Sequence, residues 1–341
     1  MKDSIVHLCL TQSPLITMVF QGAMKEMGVP ADQIRSVSRR SVLPAGEGRC
    51  LDDLSDRLEA AYKGFRRGEY RRLQEELRRQ IDEITGSRGF LAYIPHTQRL
   101  MYQEILAHPK CLGYLFVEEG FTSMSWKGHQ AVKAGTGKRL QYRLRSAWTG
   151  SSFRFDREMF DVRSKGFRGA IAISKHAFTG MEKVTDVSKW IRRYEPQGQP
   201  KRVFAVLDTC YLHRGIRWDD YADALVEAVN AEAAPETEVF IKFHFVDTEA
   251  EGKFAALKKR IQARTMTLLP REFSVEDALS ADDRLLFGVS SMGYYVAIFG
   301  GSVRCFAPAV KELDVGQWIA KGGLPGDFRE IVGLPEGGAN R

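Results

Sequence analysis

Tyr114-Leu115-Phe116-Val117-Glu118-Glu119-Gly120 is an apolar run that stops on two adjacent carboxylates and a glycine. A short, continuously apolar run of this kind reads as a buried strand of a parallel sheet, here Leu112–Glu118. Its polar residues then lie at the carboxyl end, where ligands of open α/β sheets bind. Similar runs recur on both sides. Upstream they predict strands at Ile5–Thr11, Ile34–Val37 and Phe90–Ile94, with helices at Pro14–Met27 and Leu51–Ile84. Downstream they predict strands at Arg202–Leu207, Val239–Phe245, Met266–Leu269, Leu285–Val289 and Val303–Phe306, with helices at Trp218–Ala231 and Met292–Phe299. Strands alternating with amphipathic stretches are the mark of an α/β protein.

The length of 341 residues suits two domains at roughly 150 residues each. The Pro-, Gly- and Gln-rich stretch Glu195–Lys201 is the best linker signal, giving an expected first domain of 1–198 and a second of 199–341. Two successive βα halves imply two Rossmann-like domains facing a central cleft. Five scattered cysteines, Cys9, Cys50, Cys111, Cys210 and Cys305, argue against a disulfide framework and show no metal-ligand spacing. No apolar run reaches the ~18 residues a membrane span needs, and the opening stretch lacks a signal-peptide pattern, so a cytoplasmic protein is expected. The net charge of +7 is small for this length and admits an acidic partner without requiring one. Arg66, Arg67, Arg71, Arg72, Arg78 and Arg79 cover one side of the helical stretch Leu51–Ile84. Such a face suits an acidic polymer, a peripheral contact with an anionic inner membrane, or plain solvation. No recurrent aromatic–basic pattern supports nucleic-acid binding.

Three clusters sit where strands end. Glu118 and Glu119 are like charges side by side, an arrangement that raises one carboxyl pKa toward a general base. Taken alone, the pair reads more simply as an acidic turn after a strand. In Ile241-Lys242-Phe243-His244, the alternation places Lys242 and His244 on one strand face as a candidate anion site, or as an ordinary edge histidine. Gly288-Val289-Ser290-Ser291-Met292-Gly293 links a strand to a helix, and supplies hydroxyls and backbone N–H groups for a phosphate or a simple cap.

In this order the clusters resemble bacterial sialyltransferases and polysialyltransferases of the two-domain GT-B type. Glu118-Glu119-Gly120 matches that family's acidic motif. Lys242-Phe243-His244 matches its HP motif, although Phe245 replaces the proline, and Ser290-Ser291 matches its paired serines. His108-Pro109 is a literal HP dipeptide in the wrong half, read as a turn. The resemblance implies an inverting, metal-independent transferase that moves sialic acid from CMP-sialic acid to a glycan such as a surface polysaccharide or lipooligosaccharide. It implies Glu118 as general base, Glu119 as second acid, and His244 as general acid or phosphate stabiliser. Ser290, Ser291, Lys242 and Glu276 are implied at the CMP and Ser13 at the acceptor, while Thr209 and His96, each following a strand end, face the nucleotide and the acceptor by position. No cofactor or metal is expected. Another CMP-activated acidic sugar (Kdo or a legionaminic-type nonulosonate) satisfies the same motifs. A UDP- or GDP-sugar enzyme and a basic nucleic-acid-binding protein are more distant alternatives.

Overall fold

The computed structural model describes residues 5–38, 48–124, 126, 136–154, 158–195, 200–213, 215–271, 273–311, 313–321 and 323–334. The chain forms two compact α/β units, Met1–Ile191 and Arg192–Arg341. The sequence places the division at 198/199. Residues 192–194 go with the second unit because the Tyr194 N–H donates to the Phe299 carbonyl at 2.8 Å and its ring joins that unit's core.

The first unit holds a seven-stranded sheet. Its strands are β1 (Val6–Thr11), β2 (Ile34–Ser38), β3 (Arg49–Cys50), β4 (Phe90–Ile94), β5 (Cys111–Val117), β6 (Phe167–Ala172) and β7 (Val184–Asp186). They lie in the order β3-β2-β1-β4-β5-β6-β7, and every pairing is parallel. The central strands are buried on both faces, as parallel strands under crossover helices must be. Val6, Leu8 and Leu10 point to one side, against Leu58, Leu73, Leu77 and Ile81 of the helices Asp52–Lys63 and Arg67–Thr85. The helical stretch expected over Leu51–Ile84 is two helices, divided at Gly64–Arg66, where Phe65 adopts φ +53°.

The second unit holds a five-stranded sheet of β8 (Arg202–Val206), β9 (Glu238–Lys242), β10 (Thr265–Leu268), β11 (Asp283–Phe287) and β12 (Ser302–Cys305). Their order is β10-β9-β8-β11-β12, again parallel throughout. The helix Trp218–Glu232 lays Tyr221, Leu225 and Val229 against the sheet side. Each unit is therefore doubly wound, and these are the two parallel-sheet α/β units of the expected GT-B class. The strand order reverses between β1 and β4 in the first unit and between β8 and β11 in the second. Among the described residues, no helix is long and apolar enough to cross a membrane.

Candidate functional site

Strands β1, β4 and β5 are neighbours, so the residues that follow them meet at the carboxyl edge of the first sheet. These are Gln12 and Ser13, His96, and Glu118–Gly120. Consecutive residues of an extended chain point to opposite sides, and this separates the two carboxylates. Glu118 is wholly buried, its Oε2 accepting from the Ile173 N–H at 2.6 Å and the Ser174 N–H at 3.0 Å. It ties the end of β5 to the chain leaving β6. Charge-assisted bonds to backbone N–H groups are the strong kind, and they commit this carboxylate to the fold.

Glu119 lies the other way and keeps part of its side chain open to solvent. Its Oε1 accepts from Gln12 Nε2, and its Oε2 stands 3.9 Å from His96 Nε2. Gln12 in turn accepts from the Tyr102 hydroxyl at 3.1 Å. His96 Nδ1 accepts from the Gln98 N–H at 3.2 Å, so the proton of the neutral ring belongs on Nε2, toward Glu119. Gly120, at φ +83°, turns the chain away immediately after the pair. Ser13 caps the helix Pro14–Glu26, its Oγ accepting from the Ile16 N–H at 3.4 Å.

The second unit repeats the arrangement. After β8, Asp208 is buried and spans the reversal point: Oδ1 accepts from the Cys210 N–H at 2.7 Å, and Oδ2 from the Val289 N–H at 2.6 Å and the Tyr221 hydroxyl at 3.1 Å. This leaves no room for a side chain at 288. A Cβ on Gly288 would stand 2.1 Å from Asp208 Oδ2. Ser290 caps the helix Ser291–Ile298, its Oγ accepting from the Met292 N–H at 3.2 Å. Ser290 and Ser291 remain partly exposed at the helix N-terminus, where the first N–H groups have no intrahelical acceptor. Thr209 lies between Asp208 and the short helix Cys210–His213, and its carbonyl accepts from the Leu212 N–H at 3.0 Å.

Two expectations change here. Strand β9 stops at Lys242, so Lys242 and His244 do not share a strand face. The Lys242 ammonium donates to the carbonyls of Pro270, Arg271 and Phe273 at 3.2, 3.0 and 2.5 Å. It clamps the turn leading to Glu276. Burial pushes the Glu276 carboxyl up, with the Lys242 charge pulling the other way. Half-buried His244 sits in the turn beyond β9, Nδ1 accepting from the Val246 N–H at 3.4 Å and the ring resting on Phe245. Its Nε2 therefore carries the proton. The other histidine singled out in sequence, His108, is buried beside Asp82 in a turn of the first unit.

Sequence pattern gives no role to Gln12, Tyr102, Tyr221 or Asp208. Position was the available signal, since Gln12 and Asp208 both follow the first strand of their sheet. A cavity of about 810 Å³ lies elsewhere, lined by Cys111–Gly113 at the opposite end of β5 and by Arg139, Tyr142 and Arg143. It is no part of the carboxyl-edge cluster. Among the described residues, no group of three His, Cys, Asp or Glu side chains comes together as metal ligands do.

No protein-family model matches this sequence, and no curated protein matches it. Solved structures similar in fold include a Photobacterium 2,6-sialyltransferase in complex with CMP and lactose, at 10% identity and TM-score 0.49, over 97% of this chain and 77% of that one. UDP-GlcNAc 2-epimerase from Neisseria meningitidis bound to UDP-GlcNAc is similar at 11% identity and TM-score 0.48, covering 98% and 95%. E. coli heptosyltransferase WaaC with ADP-2-deoxy-2-fluoro heptose is similar at 10% identity and TM-score 0.41, covering 88% of each chain.

Proposed function

We propose that this protein is an inverting glycosyltransferase that takes its sugar from a nucleotide donor, and that the donor is CMP-sialic acid. One observation carries the reading: of the acidic pair, Glu119 is the carboxylate held open at the reversal point, between the Gln12 amide and His96 Nε2. The order of Glu118-Glu119-Gly120, Lys242-Phe243-His244 and Ser290-Ser291 along the chain supports the choice of donor. Another CMP-activated acidic sugar would meet the same groups.

The base is Glu119, and Glu118 anchors the loop that presents it. Glu119 takes the proton of an acceptor hydroxyl, whose oxygen bonds to the anomeric carbon as the bond to the donor phosphate breaks. Inversion follows from attack on the opposite side. The electron pair leaves on the phosphate of CMP. His244, with its proton on Nε2, donates to that phosphate, and Ser290 and Ser291 add hydroxyls beside the helix N-terminus. Thr209 and Glu276 complete the nucleotide side, with Glu276 at the ribose, while Ser13 and His96 line the acceptor side. The leaving group is a monophosphate ester, whose charge protein donors can match without a divalent ion.

The test is CMP release from CMP-sialic acid, measured with and without glycan acceptors and compared with UDP-GlcNAc and ADP-heptose. Release from the CMP-sugar alone is expected, unchanged by EDTA. Turnover of a UDP- or ADP-sugar in its place, or activity lost to EDTA and restored by Mg²⁺ or Mn²⁺, overturns the assignment.

A further inference from the structure

The helix Thr136–Thr149 is amphipathic in the unusual sense. A surface helix ordinarily turns its apolar stripe to the core. Here Leu140, Leu144 and Trp148, spaced four apart on one face, are 57%, 57% and 55% exposed. The side toward the protein is polar and aromatic. Tyr62 Oη bonds the Tyr142 carbonyl at 3.1 Å and Ser146 Oγ at 2.9 Å, Ser146 donates to the Phe153 carbonyl at 2.7 Å, and Thr149 is buried. The outward stripe is thus not a core face awaiting its own domain.

Phe65 extends the stripe. Its ring is 41% exposed at the break between two helices, on a residue held at φ +53°, and its carbonyl accepts from Trp148 Nε1 at 3.0 Å. Cations rim this patch. The helix carries Lys138, Arg139, Arg143 and Arg145 and no acidic residue. Arg145 lies over the Phe65 ring at 5.0 Å, and Arg67 over Trp148 at 5.8 Å. Arg71 approaches Gly150, just past the helix end.

We infer that the helix Thr136–Thr149, with Phe65, docks the protein on an anionic bilayer surface. Leucine and tryptophan on one face with arginine and lysine beside them fit the boundary between headgroups and acyl chains, where both kinds of group are satisfied. An acidic polymer would use the cations but leave three large apolar side chains in water. A second copy packed symmetrically on this face would set like charges against like. The bilayer is the partner whose chemistry answers both halves of the patch. This inference does not depend on the reaction proposed above.

Co-sedimentation of the full chain with vesicles tests it, using phosphatidylcholine alone and phosphatidylcholine mixed with phosphatidylglycerol. The expected result is binding to the mixed vesicles that weakens with added salt, together with a blue shift of tryptophan fluorescence that Trp148→Phe diminishes. The combined variant Leu140→Gln, Leu144→Gln and Trp148→Gln should bind on the order of tenfold more weakly or worse. Its circular dichroism should match the parent. Leu140→Met with Leu144→Met, which keeps the stripe apolar, should bind like the parent. Equal binding by parent and triple variant overturns the inference, as does equal binding to both vesicle types. So does a parent that ignores vesicles and instead dimerises or captures polysialic acid through these residues.

Discussion

Glu118 and Glu119 are chemically identical and adjacent, yet their surroundings assign them different work. Glu118 has given its Oε2 to two backbone N–H groups, whereas Glu119 keeps solvent access next to His96. On the proposed reaction, Glu119→Gln should lower transfer on the order of 10²-fold while CMP affinity stays near the parent value, since a base acts on the acceptor. Glu118→Ala should instead lower thermal stability, because it strands the buried Ile173 and Ser174 N–H groups at about 1–3 kcal/mol. Turnover assays beside calorimetric unfolding separate the two; a stable Glu118→Ala enzyme without activity reverses the roles. Gly288→Ala should be costly for a different reason, driving a methyl group into Asp208 Oδ2 by about 1–3 kcal/mol of overpacking. The chemical denaturation midpoint of the variant checks this. Sequence pattern located the acidic pair and the paired serines, but it could not say which acid turns inward. That choice rests on the chain leaving β6, where the Ile173 and Ser174 amides claim Glu118.

At the scale of the element, the end of β9 shows why boundaries are the hard part. Alternation in Ile241-Lys242-Phe243-His244-Phe245 continues past the point where pairing stops, because the turn closed by the Asp247 N–H on the His244 carbonyl is set by contacts remote in sequence. The three carbonyl bonds of Lys242 make it a clamp on the turn before Glu276. On the proposed reaction, in which Glu276 meets the ribose, Lys242→Met should therefore weaken CMP binding and raise proteolytic cleavage in the turn before Glu276. Weaker binding with the turn still protected from protease would mean that the ammonium itself meets the nucleotide. The strands with long apolar runs were readable for the same reason that they are buried. Strand β6 was not: Phe167-Arg168-Gly169-Ala170-Ile171-Ala172 is short in large side chains and joins β5 with a register shift at Tyr114/Leu115. Strand β7 is three exposed residues at the sheet edge, too short for any period to show. The break at Phe65 was hidden because apolar spacing persists on both sides of it.

Across the whole molecule, half-buried His7 and buried His108 of the first unit tie stability to pH. Burial pulls the pKa of both His7 and His108 below the ordinary 6.5, so the native state binds fewer protons than the unfolded chain as acid is added. Stability from this source is complete above the unfolded value and falls as pH drops from about 6.5 toward the folded values. The melting temperature should decline over that window, and more shallowly for His7→Gln with His108→Gln. A double variant with the parent's slope would place the dependence in other groups.

The parallel pairing of both sheets also bears on how the chain comes off the ribosome. Val6 of β1 pairs with Phe90 of β4, and among the described residues every strand pairing is parallel, so none forms through a tight hairpin between sequence neighbours. At roughly 5–20 residues per second of synthesis, β1 emerges several seconds before β4 exists to cover its second edge. An apolar strand waiting that long with an open edge is a natural client for a chaperone. Slowing translation before Phe90 should lower the yield of native protein more than slowing it by the same amount after Ile191.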